Sequence, residues 1–325
     1  MEKALIIQNK VQEILQTSEV FLVGGSVRDI VLGKMPKDYD FTTPLTPDEM
    51  KPLIKEAGRR SYNIGNGEKH GTVTFKVEWQ PKQFEFVEVT THRTDVYQKE
   101  SRQPITTFGV SLDEDLARRD FTINAMVLKN DGSIYDPFGG RIDILSRLIK
   151  TVGKPKDRIT EDPLRMLRAA RFASQLDFDV DPNMIGKMRQ LSQTITYVSK
   201  ERWILELDKL LMGKNIARGI KVLTQSETLK YMIPEVYLSL RDIDDYITLV
   251  TSFKDITEDV TLDERWAMLF SLIGLIYAYK EKNNGDILYS NHEVIRNELL
   301  IGICERLKFS NERKSVLIRN KKSIK

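Results

Sequence analysis

Hydrophobic alternation with a period of two is confined to the first 150 residues of this chain; beyond them the apolar runs repeat at helical spacing. Gly71–Trp79 sets Val73, Phe75, Val77 and Trp79 against Thr72, Thr74, Lys76 and Glu78, and Gln83–Thr91 follows across the short Gln80-Pro81-Lys82 link. Both segments read as strands. Val20–Val23 is a short apolar strand ending in Gly24-Gly25, Lys37–Thr42 is strand-like, and Phe121–Lys129 is a third strong strand before an Asp131-Gly132 turn. Helices are predicted over Lys3–Gln16, over Ser26–Leu32 with Gly33 closing it, and over Pro47–Ala57. After residue 150 the strands stop, and helices are expected over Asp157–Leu176, Met184–Thr194, Glu201–Met212, Ile216–Gln225, Ile243–Phe253, Leu262–Glu281 and Val294–Leu307, with a polar loop at Lys280–Asp286. Such a chain is not a regular βαβ repeat. It is expected to be an α+β head, a mixed sheet with flanking helices, followed by an all-α half. Its 325 residues suit about two domains.

Composition removes several alternatives. One cysteine, Cys304, excludes a disulfide framework, a Cys-rich zinc site and a CxxC redox pair. Three histidines, His70, His92 and His292, leave little for a histidine-rich metal site. The most apolar window, Trp266–Tyr279, is shorter than the ~18–20 residues needed to span a bilayer, so a buried helix is expected there. Met1–Gln16 is charged and amphipathic, without the apolar run of a signal peptide. A cytosolic protein that does not enter membranes is expected. The net charge of +3 does not by itself mark a nucleic-acid binder, yet Lys308–Lys325 carries seven Lys/Arg and one Glu, leaving about −3 for residues 1–307.

Five short segments carry chemistry. Gly24-Gly25-Ser26-Val27-Arg28-Asp29 joins a strand to a helix, where free backbone N–H groups, the helix dipole and Arg28 can meet an anion. No GK[ST] follows, so it is not a Walker loop. Lys37-Asp38-Tyr39-Asp40-Phe41 puts two carboxylates on one face of a strand, about 6.5–7 Å apart, a spacing suited to gripping divalent cations for phosphoryl transfer. Acidic residues are poor strand formers, and two on one face repel. A third carboxylate is expected from Gln83–Thr91, as Glu85 or Glu88, which have opposite parity. Phe84 and Phe86 share the parity of Glu88, which suggests a buried face, and periodicity does not choose between the two acids. Arg118-Arg119-Asp120 directly precedes the Phe121 strand, where Arg can contact phosphate or ribose and Asp can accept from a ribose hydroxyl.

The fifth segment, Glu161 to Phe172, places Pro163 in the first turn of a helix and repeats Asp162, Arg165, Arg168 and Arg171 every three residues, with Leu164, Leu167 and Ala170 on another face. A carboxylate beside a guanidinium can read a base. Cytosine and adenine each show an amino donor beside a ring-nitrogen acceptor; uracil and guanine show the reverse and would leave buried groups unpaired. An Asp162/Arg165 pair could therefore accept C and A while refusing U and G.

Together the blocks LVGGSVRD (22–29), DYDFTT (38–43), HGTVTF (70–75), FVEVTTHRTD (86–95), SLDEDLARRDFTINAM (111–126), DPFGG (136–140) and EDPLRMLRAARFA (161–173) resemble the class II tRNA nucleotidyltransferase family, which includes CCA-adding enzymes and bacterial poly(A) polymerases. VSKERWILELDKLL (198–211) resembles the block that supports the family's nucleotide-binding helices. The resemblance implies a catalytic nucleotidyltransferase head at 1–148, a helical neck holding the base at 149–212, a helical body at 213–300 and the start of a basic, RNA-contacting tail at 301–325. It implies that Asp38 and Asp40 bind Mg²⁺, that Glu88 rather than Glu85 is the third catalytic carboxylate, and that Gly25 and Arg28 contact the triphosphate. Arg119 and Asp120 match ribose-side contacts; Asp162, Arg165, Arg168 and Arg171 match the neck's nucleotide-binding residues. The implied reaction is addition of C and A to the 3′ end of tRNA from CTP and ATP, with no oligomeric state implied. The alternatives are an A-adding enzyme or poly(A) polymerase, and an RNA-binding module without catalysis that uses the basic Lys308–Lys325 end. The polar segment Thr94–Thr107 resembles a loop that CC-only relatives lack, and so favours an enzyme able to add A. Leu269–Leu275 reads LFSLIGL where some relatives carry a His-Asp phosphohydrolase motif, so no phosphatase activity is expected.

Overall fold

The computed structural model describes residues 1–62, 70–96, 105–240, 251, 253, 256, 259–270, 273 and 292–319. Residues 243–250 of the expected Ile243–Phe253 helix, most of the expected helix beyond residue 270, the Lys280–Asp286 loop, residues 97–104 of the Thr94–Thr107 segment and the last six residues of the basic end lie outside the described residues. The chain divides into two compact units, 1–154 and 155–325.

The first unit is built on a seven-stranded sheet. In chain order its strands are β1 (Phe21–Val23), β2 (Tyr39–Thr43), β3 (Ser61–Tyr62), β4 (Thr72–Gln80), β5 (Gln83–Thr91), and, after the separate hairpin of β6 (Arg93–Val96) and β7 (Ile105–Phe108), β8 (Val127–Leu128) and β9 (Ile134–Tyr135). Across the sheet the order is β3-β4-β5-β2-β1-β8-β9. Only β2 and β5 run parallel; the other five neighbouring pairs are antiparallel. The helices are α1 (Glu2–Leu15), α2 (Gly25–Val31), α3 (Pro47–Glu56), α4 (Leu112–Ala117) and α5 (Gly140–Leu145). α1 buries Ala4, Ile7, Val11 and Leu15 at helical spacing, and α3 opens on a capping box between Thr46 and Glu49 with Pro47 at its first position.

On β5 one face is covered and the other is open, and the covered face is not the one suggested by the phenylalanines; at β1 and β8 the second face is covered as well, by Leu112 and Leu116 of α4 against Val23 and Val127. On β5 the buried residues are Val87, Val89 and Thr91, whereas Phe84, Phe86 and Glu88 are exposed. The register explains this: Val89 and Val87 lie opposite Val73 and Phe75 of β4. Those odd-numbered residues join the core that α1 and α3 complete with Ile7, Met50 and Ile54. Glu85, on the covered face, is bound by Lys3 Nζ at 2.6 Å.

The expected strand over Phe121–Lys129 is also interrupted. Phe121 makes a single bridge to Thr151, Thr122–Asn124 is a 3-10 turn, and only Val127–Leu128 pairs in the sheet. Side chains bend the segment: Asp120 Oδ1 accepts from the Phe121 N–H at 2.8 Å and from Asn124 Nδ2 at 3.2 Å, and the Thr122 hydroxyl donates to Asp143 at 2.6 Å. α5 begins hard against this turn, where a Cβ on Gly140 would stand 2.3 Å from the Thr122 carbonyl oxygen.

The second unit is helical apart from a two-residue strand at Asp179–Val180 among the described residues. The helix expected over Asp157–Leu176 is two helices, α6 (Pro155–Glu161) and α7 (Leu164–Leu176). Pro163 cannot donate to the helical ladder, and Asp162 Oδ1 takes the Leu164 N–H instead, at 3.1 Å. α8 (Pro182–Leu191) ends in a 3-10 turn over Ser192–Tyr197, and α9 (Lys200–Leu211) and α10 (Ile216–Gln225) pack against α7. Two short helices, α11 (Thr228–Met232) and α12 (Pro234–Ser239), were not expected from periodicity; each is too short to repeat an apolar pattern. Residues 262–270 are helical, and α13 (His292–Arg306) and α14 (Asn311–Arg319) follow. No described helix is long and apolar enough to cross a membrane.

Candidate active site

The parallel pairing of β2 with β5 sets Asp40 directly opposite Glu88. The two are 48 residues apart in the chain but neighbours across the sheet, about 4.8 Å apart in the hydrogen-bonding direction. Asp38 lies one step before β2, in a bend rather than in the strand as expected, and is exposed. Its carbonyl oxygen accepts from the Ser26 hydroxyl at 2.8 Å, which fixes the entry to β2 against the start of α2. Burial, the Glu88 charge and the Asp38 charge push the Asp40 carboxyl up to about 6, against a smaller opposing pull from Arg119. Negative charge therefore gathers where β2 meets β5, only partly offset by Arg119.

Opposite charge gathers at the Gly24-Gly25 turn. Gly24 has φ +74° and ψ −133°, a region left to glycine, and a Cβ there would sit 3.2 Å from Arg119 Nη1. A Cβ on Gly25 would meet the Arg28 guanidinium at 3.4 Å. Two guanidinium groups thus lie against one bare turn. Arg28 donates to Asn124 Oδ1 at 2.9 Å and to Asp29 at 2.9 and 3.1 Å. Arg119 donates from Nη2 to Asp115 at 3.1 Å, while its Nε is buried with no hydrogen-bond partner among the described residues. Asp115 is fully buried and also accepts from Arg118 at 2.7 and 3.0 Å. Burial alone would raise the Asp115 carboxyl; Arg119 and Arg118 outweigh it and hold it below its ordinary value. Asp120 stands at the same corner, engaged with Asn124.

In the second unit, the four expected residues sit at the start and along one side of α7. Asp162 caps the Leu164 N–H and pairs with Arg202 of α9 at 3.1 Å. Arg165 is buried, bound to Glu161 at 2.6 Å and to the Arg158 carbonyl at 2.9 Å. Arg168 and Arg171 both approach Glu206 of α9, at 3.8 and 3.1 Å, and Arg171 stacks 4.2 Å from the centre of the Phe172 ring. The Arg165 backbone N–H also donates to the Asp162 carbonyl oxygen at 3.0 Å.

Sequence reasoning missed the residues that hold these groups: Ser26, Asn124, Asp115, Glu161, Arg202 and Glu206. The Glu161–Arg165 pair was available from its four-residue helical spacing. The Arg28–Asn124 contact spans 96 residues and Arg171–Glu206 spans 35, so nothing local announces either.

The site can be asked whether it suits a cation. Among the described residues no three His, Cys, Asp or Glu side chains form a ready metal-binding group. Asp38 and Asp40 nevertheless offer hard oxygen donors beside Glu88, in a cluster whose charge already raises the Asp40 carboxyl. That suits a small divalent cation such as Mg²⁺, which commonly takes one or two protein carboxylates and completes its shell with phosphate oxygens and water.

Residues 20–150 match the family model described as "Poly A polymerase head domain", and residues 177–238 match "Probable RNA and SrmB- binding site of polymerase A". A CCA-adding enzyme of Lactococcus lactis subsp. cremoris is 37% identical over 254 residues, 78% of this chain and 60% of that protein. One from Staphylococcus epidermidis is 32% identical over 324 residues, 91% of this chain and 78% of that protein. The chain thus spans about 60% of the length of the Lactococcus relative it matches. The crystal structure of Bacillus stearothermophilus CCA-adding enzyme in complex with CTP is similar with a TM-score of 0.62 and 28% identity, covering 97% of this chain and 76% of that one. The chain belongs to the tRNA nucleotidyltransferase and poly(A) polymerase family, the family of the CCA-adding enzymes.

Proposed function

We propose that this protein adds C and A nucleotides to the 3′ end of tRNA from CTP and ATP, without a nucleic-acid template. The observation that carries the reading is the pairing of Asp40 with Glu88, beside Asp38, in the same unit as a bare glycine turn flanked by Arg28 and Arg119. In this reading Asp38 and Asp40 hold Mg²⁺, which when bound acidifies the attacking hydroxyl and neutralises charge on the phosphates. The ribose hydroxyl oxygen of the RNA end bonds to the α-phosphorus, the bond from that phosphorus to the pyrophosphate oxygen breaks, and pyrophosphate leaves. The hydroxyl proton passes to the exposed Glu88 carboxylate and on to water. Gly25, with Gly24, lets the triphosphate approach the backbone, Arg28 donates to its oxygens, and Arg119 and Asp120 make the ribose-side contacts.

The base is read by Asp162 and Arg165, with Arg168 and Arg171 holding the rest of the nucleotide. On binding, Arg165 exchanges Glu161 for the ring nitrogen and Asp162 exchanges Arg202 for the amino group, so Glu161 and Arg202 keep the pocket ordered while it is empty. Residues 1–148 serve as head, 149–212 as neck, 213–300 as body, and 301–325 as the start of a basic tail against the RNA backbone. We place the reaction in the cytosol, whose reducing conditions suit a chain with one cysteine.

The test is incorporation on three tRNAs, ending before the CCA, after the first C and after CC, with each nucleoside triphosphate supplied singly. The first two should take up C and the third A, with U and G refused. Uptake of A alone on every substrate would make the protein an A-adding enzyme or poly(A) polymerase. Uptake of nothing in the presence of Mg²⁺ would leave an RNA-binding protein without catalysis.

A further inference from the structure

The open face of the sheet carries aromatic surface that the reaction does not use. Phe84 and Phe86 of β5 are 48% and 51% exposed. Tyr62 of β3, 36% exposed, meets Phe86 edge-on with ring centroids 5.5 Å apart. Cations lie over two of the rings: Lys76 Nζ is 4.8 Å from the centre of Phe86, and the Arg60 guanidinium 5.9 Å from that of Tyr62. Glu78, an acid on this face, is taken up by Arg59 at 3.7 Å and by the Lys82 backbone N–H at 2.8 Å.

Register ties this patch to the carboxylates. Tyr62 is opposite Thr74, Thr74 opposite Glu88, and Glu88 opposite Asp40, so one row of side chains crosses four strands. Phe86 is two residues before Glu88 and opposite Lys76. It therefore stands about 7 Å from Glu88 on the same face, with Phe84 as far again beyond it. Partly exposed rings with cations against them, and a line leading to the reacting carboxylates, are what an unpaired nucleic-acid strand requires. A protein partner fits less well, because three rings fall far short of the roughly 1,000 Å² that a stable protein interface buries.

We propose that this face is a stacking platform for the single-stranded 3′ end of the RNA being extended. Phe86 and Tyr62 take the base next to the reacting end and Phe84 the one before it, while Lys76 and Arg60 meet the phosphates. The inference rests on the reading under Proposed function for the identity of the RNA, but not for the binding itself.

The probe is an RNA hairpin with an unpaired 3′ tail ending in CC, carrying 2-aminopurine one nucleotide from its end. The platform predicts quenching of that fluorophore by the wild-type protein, loss of the quench in Phe86→Ala, and its retention in Phe86→Trp. Binding should weaken about 10-fold in each single alanine variant and about 100-fold in Phe84→Ala/Phe86→Ala. The KM for RNA should rise in step, with the KM for CTP and ATP unchanged. Lys76→Gln should lower the slope of log affinity against log salt by about one. Unchanged binding and quench in the double variant would overturn the platform, as would a switch from dimer to monomer in that variant with RNA affinity intact. A wild-type protein that binds and quenches the probe but incorporates no nucleotide would sink the reaction while leaving the platform standing.

Discussion

Asp40 and Asp115 show how a half-buried and a fully buried carboxyl in one unit can respond to acid in opposite directions. The Asp40 carboxyl is raised to about 6, so the folded chain holds its proton more tightly than the unfolded chain does. The associated stability is present in full below the ordinary value of 3.8 and is lost as pH rises through 6. A shift of about two units corresponds to roughly 3 kcal/mol. Asp40→Asn should therefore resist urea better than wild type at pH 8 without Mg²⁺, by up to about 3 kcal/mol, with the gap closing by pH 4 while nucleotide incorporation is abolished. A constant gap from pH 4 to 8 would contradict this. Asp115 is held below its ordinary value by Arg119 and Arg118, so its contribution is present above the ordinary carboxylate range and is lost as pH falls below it. Asp115→Ala leaves two guanidinium groups facing a void and should cost about 3–5 kcal/mol in urea denaturation. Asp115→Asn should fold more nearly normally but raise the KM for CTP and ATP, because Arg119 is no longer held over the turn. Asp38, Asp40 and Arg119 stand out in the sequence, because their residue types are costly where they stand. Asp115 does not: its role depends on where Arg118 and Arg119 turn, and that is set by packing.

At the scale of elements, the strands were legible and their faces were not. The bounds of β5 are those expected, yet its buried side was misjudged, because two phenylalanines outweigh two valines on any hydrophobicity count. What decides the matter is the partner strand, which brings Val73 and Phe75 to the valine side. Phe121–Lys129 failed for a different reason: the side-chain bonds of Asp120 and Thr122 outcompete the strand ladder over three residues. The long Asp157–Leu176 helix failed at Pro163, the residue already recognised as a helix starter. The turn at Gly24-Gly25 was expected between a strand and a helix, and the structure supplies two reasons for a glycine at Gly24. Gly24→Ala would place a Cβ in a backbone region costing about 1–3 kcal/mol and would crowd Arg119 Nη1. The variant should unfold at lower urea and bind CTP more weakly, with both losses seen together. Lost stability with unchanged CTP binding would separate the turn from the site.

At the scale of the whole molecule, the division between residues 154 and 155 separates Asp38, Asp40 and Glu88 from the residues proposed to read the base. The first unit has its own sheet and core, so a fragment of residues 1–154 should unfold cooperatively when followed by circular dichroism. It should bind CTP, ATP, UTP and GTP with similar affinity, because it keeps Arg28 and Arg119 but lacks Asp162 and Arg165. Discrimination by the fragment would place base reading in the first unit. One feature of that unit also bears on how it comes to be folded. β4 and β5 are neighbours in the chain and can zip together locally, whereas β2 meets β5 only after a loop of nearly 50 residues has closed. A late pairing of Asp40 with Glu88 would make their mutual repulsion a brake on closure rather than on nucleation. Refolding should run faster at pH 5 than at pH 7.5, and Asp40→Asn should erase most of that difference in stopped-flow fluorescence.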